Sequence, residues 1–418
     1  MFDARAFHEV ELPSRLRSGN GALAAGDARA LGPLALCTPS GAWTYSATDD
    51  GSVAVLAGVE DDARVVVELD DASMTGLARD VDTPVAMLYQ QRASVVRGNP
   101  LRFIRWEPAL RAMYHARPLF DPQHVDLRGS DGTPLDPAAP FDVDAVTAAP
   151  HRLADRLDVV GFAMVRQVFA RHEVAHLLAE AESLRKAATP GDGLSWWGRT
   201  AGGEAVVTRV LNGVSSPSVR GLYDDDRVQR IADATGMELQ PRHSDGRDGV
   251  AVLWKIPDMA EGLADLPWHR DCGMGGHATN CPTVVMTICL TAGGPEAGEL
   301  RALPGSHRTS HPFIDGTAVG APDGVAIAVT AGDLSLHNGD VMHASLPPTS
   351  SVGPHRVSIL LSFSRPAGST HLGSRHYNDA LLGNPDGQVE HLGQRLGQRL
   401  VQRLGQRQRQ RQGQGRPG

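Results

Sequence analysis

The chain has 418 residues, 40 Lys+Arg against 48 Asp+Glu, and a formal net charge of −8. That length predicts more than one domain, because single cores stop growing near ~250–300 residues. No run of ~18 uncharged apolar residues is present, so no membrane span is expected, and an acidic balance argues against a general nucleic-acid binder. The first residues, Met1-Phe2-Asp3-Ala4-Arg5, carry an early acid and no apolar core of export-signal type, so a cytoplasmic location is expected. Cys37, Cys272, Cys281 and Cys289 are too few and too irregularly spaced for a disulfide scaffold, and reduced thiols are expected. Only two of the cations are lysines, Lys186 and Lys255.

The first unit, residues 1–128, reads as α+β. Strand signals lie at Val53-Ala54-Val55-Leu56 and Val65-Val66-Val67-Glu68-Leu69, and the acidic turn Asp70-Asp71 leads into a helical stretch over 72–79. Apolar residues at 84–89 precede Ser94-Val95-Val96-Arg97-Gly98-Asn99-Pro100, and then Phe103, Ile104, Trp106, Leu110 and Met113 at helical spacing. This order resembles the sterol carrier protein type of lipid-binding domain over roughly residues 40–120. Residues 129–150 hold Pro134, Pro137, Pro140 and Pro150 without apolar periodicity and read as a linker.

The second unit spans residues 151–385. Val174, Leu177, Leu178, Ala181 and Leu184 mark an amphipathic helix. Beyond residue 250, short apolar runs at 250–256, 283–290, 325–330 and 356–363 alternate with Gly/Pro turns, the pattern of a β sandwich or barrel preceded by helices. Residues 386–418 form an Arg/Gln/Gly-rich repeat, expected to be disordered. Residues 391–418 hold seven arginines and no acid, so residues 1–390 carry −8 − 7 = −15.

The chemistry concentrates in the β region. In Trp268-His269-Arg270-Asp271, positions i and i+2 of a strand face one side, so His269 and Asp271 can meet one metal. His343 supplies a third ligand, and Arg356 follows 13 residues later (356 − 343). Two histidines and one carboxylate leave open metal positions, the facial triad of non-haem Fe(II) oxygenases. A buried Arg offers a planar fork to a dicarboxylate. Ser345 shares the face of His343 and reaches the same carboxylate. Lys255 and Thr283 are further candidates for cosubstrate contact. His337 competes with His343 as distal ligand, but Ser345 and Arg356 fit His343 better. His307 reads as a structural turn residue. Trp196 and Trp197 suit either a substrate lid or the core, and Arg209 is a weaker candidate.

Over residues 153–366 the sequence resembles the phytanoyl-CoA dioxygenase family. The residues that carry this are Asp158-Val159-Val160-Gly161-Phe162, Leu253-Trp254-Lys255-Ile256-Pro257, Leu303-Pro304-Gly305-Ser306-His307 and Gly332-Asp333 followed by His343-Ala344-Ser345. The resemblance implies a mainly β double-stranded β-helix (jelly roll) with flanking helices. It also implies Fe(II) on His269, Asp271 and His343, 2-oxoglutarate as co-substrate on Arg356 and Ser345, and O2. Arg270 departs from the resembling family, which commonly has Gln or a similar residue between the ligands. Asp271 disfavours halogenation, because halogenating relatives lack this carboxylate.

The expected function is hydroxylation of an aliphatic carbon of a small molecule, an apolar or acyl-chain one if the first unit is a lipid carrier. The alternatives are a tailoring oxygenase for amino acids or natural products (hydroxylation, desaturation or epimerisation), a non-catalytic lipid-binding protein, and, more remotely, a zinc hydrolase.

Overall fold

The computed structural model describes residues 2–365 except positions 90, 245, 248, 272–280, 282, 312–313 and 315–320. The expected disordered tail lies outside the described residues.

The N-terminal body is built on β1 (Leu34–Thr38), β2 (Gly41–Ala47), β3 (Val53–Ala57), β4 (Val65–Leu69) and β5 (Ala93–Arg97), in spatial order β3-β2-β1-β4-β5. All pairs are antiparallel except β1 with β4. The alternation in β4 explains its place: Val65, Val67 and Leu69 enter the main core, while Glu68 is exposed. Helical residues 4–31 supply Phe7, Leu12 and Leu16 to the same core. Asp70 caps the helix Asp71–Ala78 by accepting from the Ser73 N–H at 2.6 Å. Gly98 turns the chain at φ +91°, where an added Cβ would lie 2.2 Å from the Arg64 carbonyl oxygen. Asn99 then caps the helix Pro100–Arg105, and the helix Glu107–His115 follows.

The second body contains β6 (Phe141–Asp142), β7 (Phe162–Arg166), β8 (Ser195–Thr200), β9 (Ala205–Val210), β10 (Gln240–Pro241), β11 (Val250–Trp254), β12 (Met259–Glu261), β13 (Leu266–His269), β14 (Thr283–Cys289), β15 (Leu300–Ala302), β16 (Val325–Ala326), β17 (Leu334–Asn338), β18 (His343–Ser345) and β19 (Val357–Ser364). The large sheet runs β12-β8-β9-β11-β19-β14-β17-β7-β6, with β10 also on β19, and the small sheet runs β13-β18-β15-β16. One face of the large sheet carries Val284, Met286, Ile288, Ile359, Leu361 and Phe363. These pack with Leu153 and Leu157, with Val174, Leu177 and Ala181 of the amphipathic helix Arg171–Ala187, and with Val228 and Ile231. On the other face Cys289 joins Leu300 and Ala302 of the small sheet. This second layer is where the site forms.

One open reading is decided and two change. The segment at 195–210 is a paired hairpin, β8 with β9, and Trp196 is 1% exposed, so it is core and not lid. Within the proline-rich stretch, Phe141 pairs with β7 and Val146 enters the large core, because each has an apolar side chain that the sheet and helices cover. Cys281 is disulfide-bonded, against the expectation of reduced thiols, whereas Cys37 and Cys289 are free. Among the described residues no helix is long and apolar enough to cross a membrane.

Candidate metal centre

β13 and β18 are short antiparallel neighbours, and their register sets His269 directly opposite His343. Their ring centroids lie 4.2 Å apart. Asp271 follows two residues beyond the end of β13, its N–H donating to the Gly339 carbonyl at 3.1 Å. The carboxylate thereby sits 3.8 Å from His269 Nε2 and 3.6 Å from His343 Nε2. One ligand atom from each of His269, Asp271 and His343 falls within 4.8 Å of the others, so the three could hold one metal ion.

The imidazole tautomers suit this use. His269 Nδ1–H donates to the Pro267 carbonyl at 2.7 Å, and His343 Nδ1–H donates to the Val341 carbonyl at 2.9 Å. Each Nε2 is left as a lone pair toward Asp271, and such outer hydrogen bonds fix the ring for ligation. Burial lowers the His343 pKa to about 3, with His269 adding to the shift and Asp271 opposing it. Burial also lowers that of His269, against the opposing pull of Asp271. Burial alone would raise the Asp271 pKa, but His343, His337 and His269 hold it well below the usual carboxylate range. Two neutral imidazoles and an ionised carboxylate are the protonation states a divalent metal requires. His343 is buried, while the side chains of His269 and Asp271 are 26% and 28% exposed, so the centre opens on their side.

His337 belongs to β17 and is not in the ligand set. Its Nε2 lies 3.0 Å from Asp271 Oδ2 and donates to it, supporting a carboxylate that the two other histidines face. His337 was legible only as a competing ligand, since a donor to a ligand leaves no spacing signature.

Arg356 stands just ahead of β19, buried, with its Nη2 donating to Ser345 Oγ at 2.6 Å. Its Nε is buried without a partner. A cation with an unmatched donor is costly unless an anion completes it, so this group fits a carboxylate ligand. Burial lowers its pKa to about 10, against the opposing influence of Cys289 and Asp265, so it stays charged at neutral pH. Lys255 behaves differently. Its ammonium donates to the Ala264 carbonyl at 2.7 Å, Asp265 Oδ1 at 2.6 Å and the Ser345 carbonyl at 2.8 Å. These bonds match all three donors of an ammonium, so the expected cosubstrate contact is not what Lys255 provides; it anchors the strand bearing Ser345. Thr283 opens β14, its carbonyl accepting from Gly339 N–H at 2.8 Å, one peptide link from the Asp271 contact. Arg209, on β9, sits 4.7 Å over the Trp196 ring with Nε buried and unpartnered, and its charge acts on His269. His307 is structural: its Nε2 meets the Asp158 carbonyl at 2.8 Å.

A two-histidine, one-carboxylate face with open positions, set beside a buried arginine, defines the class of mononuclear non-haem iron oxygenase sites. Residues 157–356 match the family model described as Phytanoyl-CoA dioxygenase (PhyH). Over this region the chain matches that family, and the protein is an Fe(II)/2-oxoglutarate-dependent oxygenase. Among solved structures, AviO1 from Streptomyces viridochromogenes Tue57 is 26% identical over 53% of this chain and 96% of its own, with a TM-score of 0.41. EvdMO1 is 27% identical over 52% of this chain and 50% of its own, TM-score 0.42. SnoN, a non-haem alpha-ketoglutarate-dependent epimerase from nogalamycin biosynthesis, is 22% identical over 58% of this chain and 93% of its own, TM-score 0.42. No curated protein matches the chain.

Proposed function

We propose that the protein hydroxylates an aliphatic carbon of a small, largely apolar molecule, with Fe(II) on His269, Asp271 and His343 and with the distal carboxylate of 2-oxoglutarate on Arg356 and Ser345. The observation that carries this is the convergence of both histidine Nε2 atoms on Asp271 beside an arginine whose buried Nε lacks a partner. On this reading the two β sheets form a double-stranded β-helix, and Thr283 is a further cosubstrate contact. Iron with 2-oxoglutarate and O2 supplies oxidation of an unactivated C–H bond, leaving succinate and CO2. The protein's own part is placement and exclusion of water. His343 anchors the centre from the buried side. His337 holds the Asp271 carboxylate by its hydrogen bond, and Arg356 fixes the far end of the co-substrate. A cytoplasmic setting, where iron and 2-oxoglutarate are both supplied, suits this assignment.

The N-terminal body supports an apolar substrate through its resemblance to sterol carriers. β4 and its capped helix come first, and after the helix Pro84–Tyr89 come β5, the Gly98-Asn99 step and the next helix, an order compatible with that resemblance. The test is a succinate-formation screen of Fe(II)-loaded protein across acyl-CoAs, sterols and amino acids, with His269→Ala as control. Stimulation by an acyl-CoA or sterol supports the proposal. Stimulation by amino acids alone favours a tailoring role, and no succinate under air with any addition sinks both.

A further inference from the structure

Arg270 lies between two residues of the iron centre, yet its side chain leaves in the opposite direction, as alternation along an extended chain requires. It points toward the N-terminal body. Its Nη2 sits 2.7 Å from Glu107 Oε1, at the start of the helix Glu107–His115, with side-chain exposures of 6% and 11%. The same Glu107 oxygen is 2.9 Å from Arg111 Nη1, and Arg111 Nε is 2.6 Å from Asp80 Oδ1. The result is a buried chain of alternating charge, Asp80–Arg111–Glu107–Arg270, that starts in one body and ends inside the metal-binding motif of the other. Neighbouring contacts hold the same junction: Arg117 donates to the His307 carbonyl at 2.5 Å, and Phe120 and Ser310 pair through their backbones at 2.8 Å.

We infer that the N-terminal body is a working part of the oxygenase centre, with Glu107 as a positioning residue that holds Arg270 and thereby fixes the backbone presenting His269 and Asp271. The inference rests on the iron reading given above. His269 is the last residue of β13 and Asp271 lies beyond it. Neither end of this segment is gripped by a long ladder, since β13 has four residues and shows a register shift between Leu266 and His269. A buried ion pair on the intervening side chain supplies the restraint that the strand lacks. Groups supporting a metal ligand typically change metal affinity ~10–100-fold when removed, and the same range is expected here.

The experiment uses the full chain. Anaerobic Fe(II) titration in the presence of 2-oxoglutarate reads the charge-transfer absorption of the ternary complex, and circular dichroism and thermal unfolding read the fold. Glu107→Gln is expected to raise the iron dissociation constant about tenfold or more and to shift or weaken the band in folded protein. Asp80→Asn removes the same charge at the far end of the chain, without touching Arg270, and is expected to lower Tm while moving iron affinity much less. The double variant Glu107→Gln/Arg270→Gln should bind iron about as the weaker single variant does, because the two side chains act through one another. Should Glu107→Gln not fold, Glu107→Asp keeps the charge, shortens the arm and reads the same shift. Wild-type iron affinity and band in folded Glu107 variants overturn the inference, as do equal losses in Asp80→Asn or losses that multiply in the double variant. A wild-type protein with no band at all overturns the iron reading itself, which separates the two failures.

Discussion

Arg356 offers the sharpest test of the co-substrate site, because its environment makes opposite demands before and after ligand binding. Before binding, the guanidinium is buried with its Nε donor unmatched and a hydrogen bond from Nη2 to Ser345 Oγ. Replacing such a buried cation by an apolar side chain of similar length is often neutral or stabilising. Arg356→Met should therefore unfold at the wild-type temperature or higher when no ligand is added. After binding, a hydrogen bond between ions contributes about 1.5–3 kcal/mol. Its loss corresponds to roughly 10- to 150-fold in the dissociation constant of 2-oxoglutarate. At 2-oxoglutarate one hundred times the wild-type constant, ligand binding stabilises wild type by about 2.7 kcal/mol. A hundredfold weaker variant gains only about 0.4 kcal/mol at the same concentration. Thermal unfolding of metal-loaded protein with and without 2-oxoglutarate, paired with the KM for succinate formation, reads both effects. A variant that keeps its KM, or that unfolds early without ligand yet retains the full ligand-induced gain, refutes the reasoning.

Removing the donor to the Asp271 carboxylate by His337→Leu should weaken Fe(II) binding ~10–100-fold without unfolding the protein. Equilibrium metal titration checks this, and unchanged affinity would show the 3.0 Å contact to be incidental. Acid should destabilise the metal-free protein well above the carboxylate range. Burial lowers the pKa of both His8 and His307 from 6.5 to about 4, with hydrogen bonds to Ala4 and Asp158 opposing. Each is neutral in the fold while the unfolded chain takes a proton, so the contribution of these two histidines is flat above pH 6.5. It falls by on the order of 1 kcal/mol per pH unit for each histidine as pH drops from 6.5 toward 4. Denaturant unfolding at pH 8, 7, 6 and 5 tests this, and equal or greater stability at pH 5 than at pH 7 contradicts it. Gly98→Ala forces a side chain onto a positive φ and against the Arg64 backbone, and should destabilise by about 1–3 kcal/mol. A loss below a few tenths would mean the turn relaxes freely.

What the sequence made legible follows physical locality. The amphipathic helix at 171–187, β4, β11, β14 and β19 each carry their period in consecutive side chains. The cluster of His269, Asp271 and His343 that could hold a metal was legible because H-x-D on a strand is itself a geometric statement, and because Ser345 and Arg356 follow His343 at short range. Lys255 misled for an instructive reason. A rare cation near a metal motif reads as a ligand for an anion, yet the anion it meets is Asp265, ten residues away in a loop. Trp196 was open between lid and core, and the pairing of β8 with β9 decides it by burying the ring.

Arg270 shows where local reading ends. In the sequence it is only the residue between His269 and Asp271. In the fold it is compensated by Glu107, 163 positions away, and Glu107 is shared with Arg111. A buried arginine without that carboxylate would be expensive enough to disturb the segment it sits on, just past β13. Arg270 and the N-terminal body are therefore one feature: the N-terminal body supplies the counter-charge that lets an arginine stand between two candidate iron ligands. A catalytic unit cut back to the residues matched by the family model, 157–356, would keep all three ligands and lose the group that pairs Arg270.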